Sequence, residues 1–172
     1  MLREDLRQKA RSCYGADDRA ALLRAIATDG TPAMVIYRLM QGSREAGSPL
    51  LEMIFNKLGS IVGNCVIGRG ADFGPGFVIF HSSGVVINGK VRGGTRVALH
   101  HEVTIGDDEE GQSAVLGSDV RVGAGAKIIG PVSVGDGAWI GANAVVVHDV
   151  PPHTTVVGVP ARPVRRRDPQ PA

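Results

Sequence analysis

"LGSDVRVGAGAKIIGPVSVGDGAWIGANAVVV", residues 116–147, sets Leu116, Val122, Ile128, Val134, Ile140 and Val146 six positions apart. The same beat runs earlier through Ile61, Ile67, Phe73, Ile79, Val85, Val91, Val97 and Val103. Glycine often follows at once, as in Ile67-Gly68, Val122-Gly123, Val134-Gly135 and Ile140-Gly141. Four positions after the apolar residue the chain is usually small or branched: Cys65, Ala71, Ser83, Thr95, Ala126, Val132, Ala138 and Ala144. A period of six matches neither a helix nor a single long strand. It matches one short strand plus one turn, repeated. Three such units close a triangular coil, and successive coils hydrogen-bond at roughly 4.8 Å spacing. The apolar residue of each unit points inward and glycine permits the tight turn. Residues 61–151 hold about five coils of this kind. Val103 and Leu116 stand 13 positions apart instead of 12, so an irregular loop carrying "GDDEEGQSA" is expected on one side.

Composition agrees with this reading. The chain has 24 glycines and only 4% aromatic residues, as a repetitive β structure packed with small and branched side chains requires. Lys plus Arg is 19 and Asp plus Glu is 17, a net charge of +2, which argues against a dedicated nucleic-acid binder. The opening "MLREDLRQKARS" is too charged for a secretory signal, and no apolar run is long enough to span a bilayer. A cytoplasmic protein is expected. Two cysteines, Cys13 and Cys65, are too few for a disulfide framework and too far apart for a metal site, so both are expected as reduced thiols.

The first sixty residues follow a different period. "DDRAALLRAIATD", "TPAMVIYRLMQGSREA" and "SPLLEMIFNKLGSIVG" carry apolar residues at helical spacing. Asp17 or Asp18, Thr31 with Pro32, and Ser48 with Pro49 are natural helix starts. Three or four helices are expected. The chain therefore divides into a helical segment over 1–60, a parallel β-helix over 61–151 and a proline-rich extension over 152–172. A short solenoid leaves its ends open, and the helices and the extension can cap them.

The stretch "VGAGAKIIGPVSVGDGAWIGANAVVVHDVPPHTTVVGVPARPV", residues 122–164, resembles the C-terminal part of the serine O-acetyltransferases, which belong to the hexapeptide acyltransferases with a left-handed β-helix. "FGPGFVIFHSSGVVI" is similar to that family's "IGxGxxxxHxxGxVI", and "EVTIG" to its "xVTxG". The resemblance covers residues 61–164. It implies a mainly β fold, a left-handed parallel β-helix of about five coils behind a helical segment. It implies acetyl-CoA as acyl donor, no metal, and a homotrimer or dimer of trimers. It makes His81 the general base that takes the proton of a small-molecule hydroxyl, and imidazole suits that task near neutral pH. His81 sits two positions after the inward-facing Ile79 and off the core series, so its ring is expected to face outward into a groove.

By the same resemblance, Gly106, Ala124 and Ala142 match backbone positions lining the CoA groove, with an N–H near Gly106 stabilising the oxyanion. Plain turn residues are the other reading of these three. Arg165, Arg166 and Arg167 either meet the CoA phosphates or form a solvated tail. Val66 and Phe80 stand where the serine enzymes place carboxylates, one pairing with the histidine and one contacting serine. Phe80 thus falls at an acceptor-binding position. His101 either lines the acceptor site, orients His81 or packs structurally. Glu102 and Asn64 are candidate partners for an imidazole. The adjacent pair His100 and His101 fits poorly the zinc ligands of γ-class carbonic anhydrases, which share this fold. His153 reads as structural.

The loop after "VTIG" lacks the Arg-His pair that holds the serine carboxylate, and carries Asp107, Asp108, Glu109 and Glu110 instead. These acids form either a solvated loop tip or a surface that attracts an amino group. The reading is an acetyl-CoA-dependent O-acetyltransferase of the serine acetyltransferase type acting on the hydroxyl of a small molecule. The missing Arg-His pair, with Val66 and Phe80 in place of carboxylates, leads to the expectation of an acceptor other than free serine. The alternatives are an acyltransferase acting on an amino group or a sugar, and a non-catalytic solenoid scaffold.

Overall fold

The computed structural model describes residues 1–166. Four helices come first: α1 (Leu2–Tyr14), α2 (Arg19–Ile26), α3 (Gly30–Glu45) and α4 (Pro49–Val62). Gly15 ends α1 in the left-handed region, and the Asp18 side chain caps α2 by accepting from the Ala21 N–H. Pro49 occupies the first turn of α4, where its missing N–H costs nothing. None of the helices is long and apolar enough to cross a membrane.

From Cys65 the chain winds into a left-handed parallel β-helix of about five turns. One sheet stacks β1 (Cys65–Ile67), β4 (Val85–Ile87), β7 (Thr104–Gly106), β10 (Lys127–Ile129) and β13 (Val145–Val146) in that order. The second stacks β2 (Asp72–Phe73), β5 (Arg92–Gly93), β8 (Val115–Leu116) and β11 (Ser133–Val134). The third stacks β3 (Val78–Ile79), β6 (Ala98–Leu99), β9 (Arg121–Val122), β12 (Trp139–Ile140), β14 (Thr154–Val157) and β15 (Arg162–Arg166). Among the strands of the described residues only β15 runs antiparallel, folding back on β14 to close the edge.

The core is built from stacked columns. Ile67, Ile87, Ile105, Ile128 and Val146 lie in register in the first sheet. Ile79, Leu99, Val122, Ile140 and Val156 do so in the third. In the second sheet Phe73 stands over Gly93. A Cβ on Gly93 would lie 2.2 Å from the Phe73 ring, so the glycine makes room for a side chain one coil below.

The even beat of six is broken three times, the last where Ile140 pairs with Val156 after only 16 residues. Ile61 lies in α4 and is 72% exposed, so the stacked series starts at Ile67. Ile67 pairs with Ile87, 20 residues on, whereas Ile87 pairs with Ile105 after 18. The two extra residues lie in the turn after β3, which holds His81. The sequence hides this step because Val85, Val91, Val97 and Val103 are also fully buried, each two positions before the next stacked residue. Residues two apart in an extended segment share a face. The acidic loop is likewise longer than the one extra residue expected: Ile105 pairs with Ile128 after 23 residues.

The helical segment covers the first coil. Asp5 and Arg38 form a buried ion pair at 2.6 Å. Arg38 also donates to the carbonyls of Phe73 and Gly74, while Asp5 accepts from the N–H groups of Gly76 and Phe77. Four otherwise unpaired backbone groups of the open coil end are thereby satisfied.

Candidate active site

The turns joining the third sheet to the first stack into one edge. Successive hydrogen bonds link them: Gly84 N–H to Asn64 O, Glu102 N–H to Ser83 O, Gly125 N–H to His101 O, and Asn143 N–H to Ala124 O. His81, His101, Glu102, Ala124 and Ala142 therefore lie along a single corner of the solenoid. Asn64, Glu102 and Asn143 adopt positive φ values of 48°, 56° and 56°, the left-handed step that turns the chain there.

His81 stands in the first, lengthened turn, with its side chain 57% exposed. Its Nδ1 lies 3.0 Å from Oδ2 of Asp29, a residue 52 positions earlier at the start of α3. Among the described residues its Nε2 makes no hydrogen bond. The ring of His101 meets that of His81 edge-on, with centroids 6.1 Å apart. Phe80, half-buried, stacks on His100 with centroids at 4.6 Å and an interplanar angle of 25°. Burial pushes the His100 imidazole below its usual range, and His101, His81 and Arg121 add to this.

Among the described residues neither expected imidazole partner hydrogen-bonds His81. Asn64 donates to the Ser83 hydroxyl at 3.2 Å, and the Glu102 carbonyl accepts from Lys127 at 2.6 Å. Asp29 fills that role instead. In the sequence α3 reads as starting at Thr31 and Pro32, two positions further on, and nothing local signals a contact 52 residues away.

Gly106 lies at the far end of β7 from the His101–Glu102 turn, about 13 Å along an extended strand. Within one chain it is not part of the corner. The acidic loop beside it is internally bonded. Asp108 and Gln112 exchange hydrogen bonds, Gln112 reaches Glu110, and Lys90 donates to the Gly111 carbonyl at 2.6 Å. Arg165 and Arg166 are exposed on β15, opposite Thr155 and Thr154. Arg167 falls outside the described residues.

The stacked six-residue coils define a hexapeptide-repeat solenoid, and residues 113–148 match the family "bacterial transferase hexapeptide (six repeats)". The serine acetyltransferase of Helicobacter pylori strain J99 is 35% identical over 140 residues, covering 80% of this chain and 82% of the relative. That of Mycobacterium tuberculosis is 36% identical over 145 residues, covering 83% of this chain. Among solved structures, the serine acetyltransferase of Neisseria gonorrhoeae superposes with a TM-score of 0.88 at 32% identity over 99% of this chain. A serine acetyltransferase in complex with CoA gives 0.85 at 27% identity, over 95% of this chain and 68% of that one. The chain belongs to the serine acetyltransferase family. It spans 63% of the length of the Mycobacterium relative and 66% of the Neisseria chain.

Proposed function

We propose that the protein transfers an acetyl group from acetyl-CoA to the hydroxyl of serine, with His81 as general base. The observation that carries this is the placement of His81 at an exposed corner with Nε2 unengaged, in a chain whose relatives are serine acetyltransferases. Nε2 accepts the hydroxyl proton as the oxygen attacks the thioester carbonyl. The new C–O bond forms and the carbonyl electron pair moves onto oxygen, where in the proposed trimer the N–H near Gly106 of a second copy stabilises it. On collapse the C–S bond breaks, and the imidazolium returns its proton to the CoA sulfur.

In this reading CoA runs along the corner past Ala124 and Ala142, and Arg165 and Arg166 meet its phosphates. Phe80, His101 and Glu102 border the acceptor. The protein works in the cytoplasm as a homotrimer or dimer of trimers. Leu50, Met53, Ile54, Ile61 and Val62 on α4, and Val66 and Val86 on the neighbouring strands, form an exposed apolar face that supports such assembly. The curated relatives favour serine over amine or sugar acceptors.

A thiol-release assay with L-serine, simple amines and sugars as acceptors tests this. His81→Ala is expected to lower kcat by about 10²- to 10⁴-fold, the usual worth of a positioned base, with CoA binding retained. Undiminished turnover in that variant, or release with amines or sugars alone, overturns the reading.

A further inference from the structure

We infer that Asp29 is the positioning residue of His81, so that the helical segment supplies part of the catalytic machinery of the solenoid. The inference rests on His81 being the base.

Three observations carry it. The position fifteen residues before His81 is Val66, 50% exposed on β1, so the strand below offers no carboxylate. Asp29 precedes α3 as its N-cap, yet its side chain makes no capping hydrogen bond; it is turned to His81 Nδ1 at 3.0 Å. The junction that bears it is pinned. The Gly30 N–H donates to the Phe80 carbonyl at 3.3 Å, and a Cβ on Gly30 would stand 2.0 Å from the Ile79 carbonyl oxygen. Only glycine lets the start of α3 rest directly on the backbone that leads into His81. Lys9 Nζ donates to Thr31 Oγ1 at 3.1 Å, and that hydroxyl donates to the Ala25 carbonyl at 2.6 Å, which fixes the bend from the other side.

The physical consequence is a tautomer. A carboxylate at Nδ1 holds the proton there and leaves the lone pair on Nε2, the form a general base requires. The pair is solvent-exposed, 57% and 79% for the two side chains, so its effect is on ring orientation and proton placement and not on stability.

The test uses the full chain, with Asp29→Ala and the conservative Asp29→Glu. The ¹⁵N shifts of the His81 ring, assigned by comparison with His81→Ala, report the tautomer of the neutral imidazole with no need for turnover. The wild type is expected as the Nδ1–H form, Asp29→Ala as mainly Nε2–H, and Asp29→Glu as a return towards the wild type. In the acetylation assay kcat is expected to fall about ten- to hundred-fold in Asp29→Ala, with KM for acceptor and donor unchanged and partial rescue by glutamate. An unaltered tautomer overturns the inference, as does a rise in acceptor KM with kcat preserved, which would make Asp29 a substrate contact. If the wild type shows no turnover, the function fails while the ring shifts still decide the pairing.

Discussion

Lys9 is completely buried in α1, and its amine is pushed down to about 8 by burial, with Cys13 and Asp29 pulling it partly back. An amine lowered in the fold from 10.5 is deprotonated there first, so between about pH 8 and 10.5 the unfolded chain binds the extra proton. Stability contributed at this site therefore rises with pH across that window and is lowest below it. Lys9→Met removes the effect. Its unfolding midpoint is expected above that of the wild type at pH 7, with the difference shrinking towards pH 10. A difference that stays constant across thermal unfolding at pH 7, 8.5 and 10 refutes this. At this scale the sequence was partly legible. His81 stood out because the glycines and apolar residues around it follow a family pattern, even though Phe80 departs from it. Asp29 and Lys9 did not, because each acts through a contact between helix and coil, or between helices, that no local pattern encodes.

Among the elements, α3 does the most connecting. Tyr37 packs edge-on against Phe73 and Phe77, which stack on each other at 4.3 Å, and Arg38 ties α1 to the first coil through Asp5. Arg38→Ala leaves Asp5 buried beside the Gly76 and Phe77 N–H groups without its cation. Loss of one partner of a buried pair costs about 3–5 kcal/mol. Urea unfolding is expected to show a loss of that size, and a loss under about 1 kcal/mol, the value of an exposed pair, would contradict the burial. The elements themselves were readable. Helix starts at Asp18 and Pro49 and the six-residue beat both announced their structures, because capping and turn chemistry are local. The two-residue step at 80–84 was not, since two inward positions per strand make two frames look alike.

For the whole molecule, the exposed apolar face of α4 is an unmet demand. No α4 residue is buried, and Ile61 is 72% and Leu50 61% exposed. If copies meet there, Ile61→Lys with Val62→Lys leaves the fold intact and lowers the mass seen by light scattering from that of a trimer to that of one chain. An unchanged mass moves the interface elsewhere. Assembly lies beyond what one chain's sequence can spell out, because a surface apolar row reads the same whether it meets a neighbour or water.

The coil departs from its 18-residue pitch between Ile67 and Ile87, between Ile105 and Ile128 and between Ile140 and Val156, and the first two departures add residues in turns outside the stacked columns. Residues can be added at a corner without moving a single inward side chain. The scaffold thus keeps packing and variation apart: its columns fix the shape, while the corners beside His81 and Gly106 can lengthen or shorten without disturbing it.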